Sequence, residues 1–310
     1  MIRKPIEDLE LQVHLAGIAP DSLNIFILQR GNYRGALLNG TALVNQMRAN
    51  HELGIIETLL LGQAYLAAGL LSCNLKGRDR IGVELDCDGP VGGFSIEVNA
   101  SAALRGYLHR VPVEITGPME SFDPAPFIGD GVLSVTKHLE DAKQPFVGKT
   151  ALEYGTPAQD LALHFTRSEQ TPTAFNLSVK FDQDGRVIGA GGLMIQAFPG
   201  ADVEVSTKLD EKVRHLDSLG ELFAAGEAPE DVVTREFRAY EPIVVGARSP
   251  RFSCHCSKRR FADFLAALPV DEIRDIRDNG PFPLRTTCYN CNTTYEFSRP
   301  EIENAYDMAR

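Results

Sequence analysis

Apolar and polar residues alternate over several stretches of the first two hundred positions, and this alternation predicts strands. Ile25-Phe26-Ile27-Leu28 reads as one strand and Arg34-Gly35-Ala36-Leu37-Leu38 as the next, with Arg30-Gly31 between them. Residues 80–85 and 93–98 read as a hairpin about the turn Asp88-Gly89-Pro90. Residues 104–114, 131–136, 176–181 and 186–196 add further strands, the last two joined by Asp182-Gln183-Asp184-Gly185. Elsewhere the period lengthens. A helical pattern runs from Thr41 to Arg48, and another from about Ala158 to Thr166. From Gly54 to Ser72, Leu59, Leu60, Gln63, Leu66, Ala67 and Leu70 fall at spacings of three and four. That helix is apolar almost all round, so it is expected to be buried on most faces. It carries Glu57 and Gln63 and is short for a membrane span, which favours a core helix. Many antiparallel pairs and few helices predict an α+β core over residues 1–200, packed on the buried helix, instead of a doubly wound sheet.

The pattern changes after residue 200. Residues 201–250 hold 11 acidic and 6 basic side chains. Lys208 to Ala225 predicts one amphipathic helix, with Leu209, Val213, Leu216 and Phe223 on a stripe that Leu219 and Leu222 widen. Ser206 or Thr207 can cap its start and Gly226 its end. Pro229 opens a second short helix through Val233 and Phe237. Such helices need a surface to lie on, so this segment reads as a helical linker. Residues 251–310 form a third, small α+β module. Phe261, Phe264, Leu265 and Leu268 make one helical face ended by Pro269. Ile273 and Ile276 mark a second helix that stops near Gly280-Pro281, and Asn292 to Phe297 alternates like the returning strand of a hairpin. A module of this size is expected to need a staple.

Composition narrows the function classes. Of 310 residues, 44% are hydrophobic and 24% charged, which is ordinary for a globular chain. The net charge of −11, without a basic block, disfavours nucleic acid and anionic membrane as partners. The charged start, Met1 to Asp8, lacks the apolar stretch of an export signal.

The six cysteines are unevenly placed, four of them in the last 57 residues. Cys254-His255-Cys256 is followed after 31 residues by Cys288-Tyr289-Asn290-Cys291. Two close pairs separated by a module-length gap can set four thiolates around one tetrahedral Zn²⁺. Alternate side chains of an extended segment share a face, so Cys254 and Cys256 can turn to one ion. The second pair suits a tight knuckle turn. His255 is a competing ligand, although four sulfurs already close the shell. A closed shell leaves no position for water, which argues against zinc hydrolysis and for a structural or oxidant-sensing role. The two-residue spacing favours the latter, because a disulfide across it requires bending and is easily reduced again. A thioredoxin-like use of Cys288 and Cys291, and a zinc-ribbon nucleic-acid module, are the competing readings. Cys73 and Cys87 read as buried, inert thiols.

Other motifs fall short. Gly148-Lys149-Thr150 lacks the earlier glycine of a phosphate loop and reads as a turn. Gly189-Ala190-Gly191-Gly192 is followed by strand-like residues and reads as a bulged hairpin. Gly93 to Glu97 lacks the final glycine of a nucleophile elbow.

The terminal cysteine pattern, at the end of a chain of this length, resembles the redox switch of the 33 kDa chaperonin family of heat-shock chaperones. Upstream stretches match in family order: Leu60-Leu61-Gly62-Gln63, Leu75-Lys76-Gly77, Asp88-Gly89-Pro90-Val91, Leu104-Arg105-Gly106-Tyr107, Ser168-Glu169-Gln170-Thr171-Pro172-Thr173 and Gly191-Gly192-Leu193-Met194-Ile195-Gln196. Gln63 stands where a glutamate is usual, and Asn279 to Leu284 is unusually rich in proline. The resemblance implies a cytoplasmic holdase, not an enzyme. It implies that Cys254, Cys256, Cys288 and Cys291 bind Zn²⁺ in a reduced, inactive form. Oxidation would pair Cys288 with Cys291 and Cys254 with Cys256, release the metal and unfold the module and linker. The linker stripe, Leu209, Val213, Leu216 and Phe223, would then meet unfolding client proteins, usually in a homodimer.

Overall fold

The first helix is one that the apolar pattern does not announce. Asp8 caps α1 (Leu9–Gly17) by accepting from the Leu11 amide at 3.0 Å, and of its apolar residues Leu11 is the buried one. The structure is a computed structural model that describes residues 2–115 and 122–309. It divides into two compact units, Lys4–Phe252 and, with the first three residues, Ser253–Arg310.

In the larger unit β1 (Ser22–Leu28) and β2 (Tyr33–Asn39) pair antiparallel, from Ser22 opposite Asn39 to Leu28 opposite Tyr33. The Asp21 carboxylate accepts from the Ala42 and Leu43 amides at the start of α2 (Thr41–His51). In α3 (Ile55–Leu71) every residue but Ile55 and Gln63 is buried. Continued by a 3₁₀ turn to Asn74 it reaches 20 residues, longer than the sequence suggests and enough for a membrane span, yet it is the core helix that the all-round apolar pattern predicts. The strands β3 (Arg80–Cys87), β4 (Gly93–Asn99) and β5 (Ala103–Leu108) form a meander. After α4 (Ala125–Ile128) come β6 (Gly131–His138), β7 (Phe146–Ala151), α5 (Pro157–Arg167), β8 (Thr173–Phe181) and β9 (Val187–Ala197). The linker supplies α6 (Val203–Arg214), α7 (Leu219–Ala224), α8 (Pro229–Glu236) and β10 (Ile243–Arg248), followed by the short β11 (Arg251–Phe252).

Two sheets result, with orders β10-β1-β2-β9-β8 and β11-β5-β4-β3-β6-β7. Among the described residues all pairings are antiparallel except the two-residue β11–β5 contact, so the α+β class holds. Helices are not few, however. Helix occupies 38% of the chain and strand 29%.

Three local expectations change. The strand expected over 104–114 ends at Leu108, before Pro112, which has no amide to give a ladder. The expected turn at Gly148-Lys149-Thr150 lies inside β7, where those residues oppose Val135, Ser134 and Leu133. β7 escapes the pattern because it is an edge strand with Thr150 its one buried residue. The single helix expected over 208–225 is two helices. Asp202, not Ser206 or Thr207, caps α6, accepting from Val205 N at 3.0 Å, while Ser206 Oγ donates to Asp202 O at 2.8 Å. Asp217 and Ser218 then interrupt the run, and Ser218 caps α7. Gly226 follows α7 with φ +83°, as its placement predicts.

The linker stripe is core. Leu209, Val213, Leu219 and Phe223 pack with Phe26, Tyr33, Leu37, Leu193 and Ile195 of the first sheet, and the half-buried Leu216 lies against them. The Gly189–Gly192 run explains itself here. It lies in β9, whose hairpin with β8 is bulged near Phe181, and its bare faces seat α7. A Cβ on Gly189 would fall 1.9 Å from Gly220 O, and one on Gly191 2.4 Å from the Phe223 ring.

The smaller unit holds α9 (Lys258–Ala266), α10 (Val270–Asn279), the hairpin β12 (Leu284–Cys288) and β13 (Thr293–Phe297), and α11 (Arg299–Met308). Leu265, Ile273, Phe297, Ile302, Ala305 and Tyr306 make its small core. Phe264, expected on the same buried face as Phe261 and Leu265, is 61% exposed.

Candidate metal centre

The cysteine pairs come together inside the smaller unit. Cys254 and Cys256 lie on the irregular stretch before α9, which Ser257 caps. Cys288 ends β12 and Cys291 sits in the turn to β13. The Cys288 carbonyl accepts from the Cys291 amide at 3.2 Å and the Asn292 amide at 2.8 Å, which curls the chain into the predicted knuckle. Asn292 takes φ +53°, a conformation asparagine tolerates.

All four sulfurs lie within 4.8 Å of one another. Cys254 Sγ is 3.8 Å from Cys288 Sγ, and Cys256 Sγ is 3.3 Å from Cys291 Sγ. Four thiolates at the usual zinc–sulfur distance form a tetrahedron with edges of about 3.8 Å, so the donor set fits one Zn²⁺ without rearrangement of the fold. Cys254, Cys288 and Cys291 are buried and Cys256 is half-buried. His255 is exposed, its Nε2 3.0 Å from Ser253 Oγ, and takes no part in the cluster.

Crowding sets the electrostatics. Hydrogen bonds from the Cys254 and Cys288 thiols pull Cys291 far below the ordinary thiol range. Its partner Cys288 is pushed far above that range, chiefly by its contacts with Cys254 and Cys291. Burial pushes Cys256 up to about 11. Four thiolates packed this closely repel one another, and a bound cation offsets that charge.

Two neighbours that the cysteine spacing does not reveal also touch the sulfurs. Tyr295 Oη lies 3.2 Å from Cys256 Sγ, and Thr293 Oγ1 lies 3.3 Å from Cys291 Sγ. The alternation of β13 carries the signal for both, since residues 293 and 295 share a face. The remaining cysteines stand apart. Burial raises Cys73 to about 11 and raises the half-buried Cys87, as expected of unreactive thiols.

Comparison with known proteins agrees with this geometry. A family model described as Hsp33 protein matches residues 21–298. The 33 kDa chaperonin of Desulforamulus reducens is 33% identical over 275 residues, which cover 88% of this chain and 92% of that one. That of Ruminiclostridium cellulolyticum is 33% identical over 269 residues, covering 85% and 90%. The crystal structure of the 33 kDa chaperonin from Thermotoga maritima superposes with a TM-score of 0.82 at 28% identity, covering 93% of this chain and 98% of that one. The chain thus belongs to the Hsp33 family, redox-regulated chaperones that hold client proteins and catalyse no reaction.

Proposed function

We propose that Cys254, Cys256, Cys288 and Cys291 are the four ligands of one Zn²⁺ in the reduced, inactive chaperone. When bound, the ion neutralises the thiolates and fixes the fold of the small unit. The observation that carries this reading is the sulfur cluster itself, with edges of 3.3 and 3.8 Å and no further donor needed. Zinc at such a site contributes about 10–16 kcal/mol of apparent folding energy, against roughly 5–15 kcal/mol for the stability of a whole domain. The small unit therefore unfolds once its thiolates are consumed. Each disulfide forms as two thiolates give two electrons to an oxidant such as hydrogen peroxide, whose O–O bond breaks and which takes up two protons and leaves as two waters. The family resemblance assigns the pairs as Cys288–Cys291 and Cys254–Cys256.

In this reading the chain works as three parts: the core of residues 1–200, the linker of 201–250 and the switch of 251–310. Losing the switch frees the linker from the first sheet and exposes Leu209, Val213, Leu216 and Phe223, now buried or half-buried, to unfolding clients. The acting form is a homodimer in the cytoplasm. The test compares reduced protein with protein treated with peroxide and heat. Suppression of citrate synthase aggregation by the treated form alone, with zinc released and amide exchange across residues 206–250 accelerated, is the expected result. Equal suppression by both forms, or zinc release with exchange across that segment still slow, overturns it.

A further inference from the structure

β10 lies between the switch and the linker helices along the chain, and it is fastened in a particular way. It is an edge strand paired with β1 from Leu23 opposite Arg248 to Ile27 opposite Ile243, with a bulge near Ile25. Its apolar side chains add little grip, since Ile243, Val244 and Val245 are 54%, 40% and 56% exposed. Arg248 is different. Its guanidinium donates to the Ser72 carbonyl and, at 2.8 Å, to the Leu75 carbonyl, where the chain leaves α3. Ser72 and Leu75 are buried; the Ser72 carbonyl also accepts from the Leu75 amide at 2.9 Å, so the Leu75 carbonyl is the one that depends on Arg248. Arg248 thus closes the C-terminal end of the core helix with a strand that belongs to the linker.

We infer that Arg248 is a positioning residue that latches β10 to α3 and keeps loss of the switch fold from passing directly into linker release. This rests on the switch-and-linker reading above and adds a step to it. The linker helices precede β10 and the switch follows it, so disorder spreading from the switch along the chain must pass the two-residue β11 and then this strand before it reaches them. Opening the strand leaves the Leu75 carbonyl unpaired inside the core and the Ser72 carbonyl with only its bond from the Leu75 amide, a cost that the disordered switch does not offset. Zinc loss and linker release are therefore separate events, and the latch sets the interval between them.

Cys73, between those carbonyls, reports on the latch. The test uses full-length, zinc-loaded protein, wild type against Arg248→Gln and Arg248→Lys. After peroxide, zinc release is followed with a chromogenic chelator, alkylation of Cys73 by mass spectrometry with Cys87 as internal control, and amide exchange of residues 203–214 and 243–248. In the wild type, Cys73 alkylation and exchange at 243–248 should lag zinc release. In Arg248→Gln the lag should shorten by about tenfold, the effect of losing the charged hydrogen bond to the Leu75 carbonyl, since the Ser72 carbonyl keeps the Leu75 amide, with zinc release unchanged. Arg248→Lys should fall between. Arg248 lowers the Cys73 thiol, so its removal by charge alone would slow alkylation, and faster alkylation has to come from opening. Equal lags in wild type and Arg248→Gln, or exchange at 243–248 in the wild type as fast as zinc release, overturns the latch alone. Exchange at 203–214 that stays slow in all three proteins after zinc has left overturns the underlying switch reading instead.

Discussion

Replacing Gly189 by alanine should free the linker without oxidation. The added Cβ would lie 1.9 Å from Gly220 O and 2.9 Å from Ala224 N, both backbone atoms of the α7 region that no rotamer change can move. Ordinary contact begins at 3.4 Å, so α7 must lift by about 1.5 Å. A gap of half that size already forfeits about a quarter to a half of a van der Waals contact. Leu219 and Phe223 are fully buried under α7, and each buried apolar side chain contributes about 1.5–3 kcal/mol. Losing half of both weakens docking by about 1.5–3 kcal/mol, a shift of roughly 10- to 150-fold toward the released linker. Alanine suits a strand at least as well as glycine, so β9 itself should not suffer. The assay is light scattering of heat-denatured citrate synthase with reduced, zinc-loaded protein, together with amide exchange at residues 219–224. Gly17→Ala, where a Cβ meets nothing within 4 Å, is the control. Suppression by reduced Gly189→Ala but not by the control is expected. Parental aggregation rates and unchanged exchange at 219–224 would refute the seat.

Three further outcomes follow from the geometry. Cys288→Ser should abolish stoichiometric zinc and melt α9 to α11, read by metal analysis and exchange, with exchange across 206–250 quickened while residues 4–200 keep their protection; retained zinc would contradict the ligand set. Tyr295→Phe removes the hydroxyl beside Cys256 Sγ and should weaken zinc retention by about tenfold in competition with a chelator. His164 is wholly buried against Thr150 Oγ1, and burial lowers its pKa although Glu169 opposes the shift. The folded imidazole stays neutral where the unfolded one takes a proton, so this stability is complete above the unfolded value of about 6.5 and is lost as pH falls below it. Denaturant melts should lose up to about 1.4 kcal/mol per pH unit in that window, and His164→Gln should flatten the slope; an unaltered slope would mean the ring is charged in the fold.

Much of this molecule was legible from spacing alone because the forces involved are local. The strands of β1 to β4, β8 and β9, the buried α3 and the knuckle at Cys288 all follow from periods of two or three to four and from turn residues. The four sulfurs were identifiable because each pair lies within three residues, and the fold had only to bring two ends together. What stayed hidden was whatever lacks an apolar face of its own. α1 buries only Leu11, β7 only Thr150, and β10 exposes three branched residues in a row, so no pattern marked them.

The linker divides the two kinds of information most clearly. Its sequence determined that Leu209, Val213, Leu216 and Phe223 share a stripe in need of cover, and that glycines interrupt β9. Only the tertiary structure decided that one covers the other, that the single expected helix breaks at Asp217 and Ser218, and that Arg248 reaches the end of α3. Periodicity reports which side of an element avoids water. Which distant surface that side meets depends on contacts between residues far apart in the chain, as Leu23 and Arg248 are, and no local period encodes them.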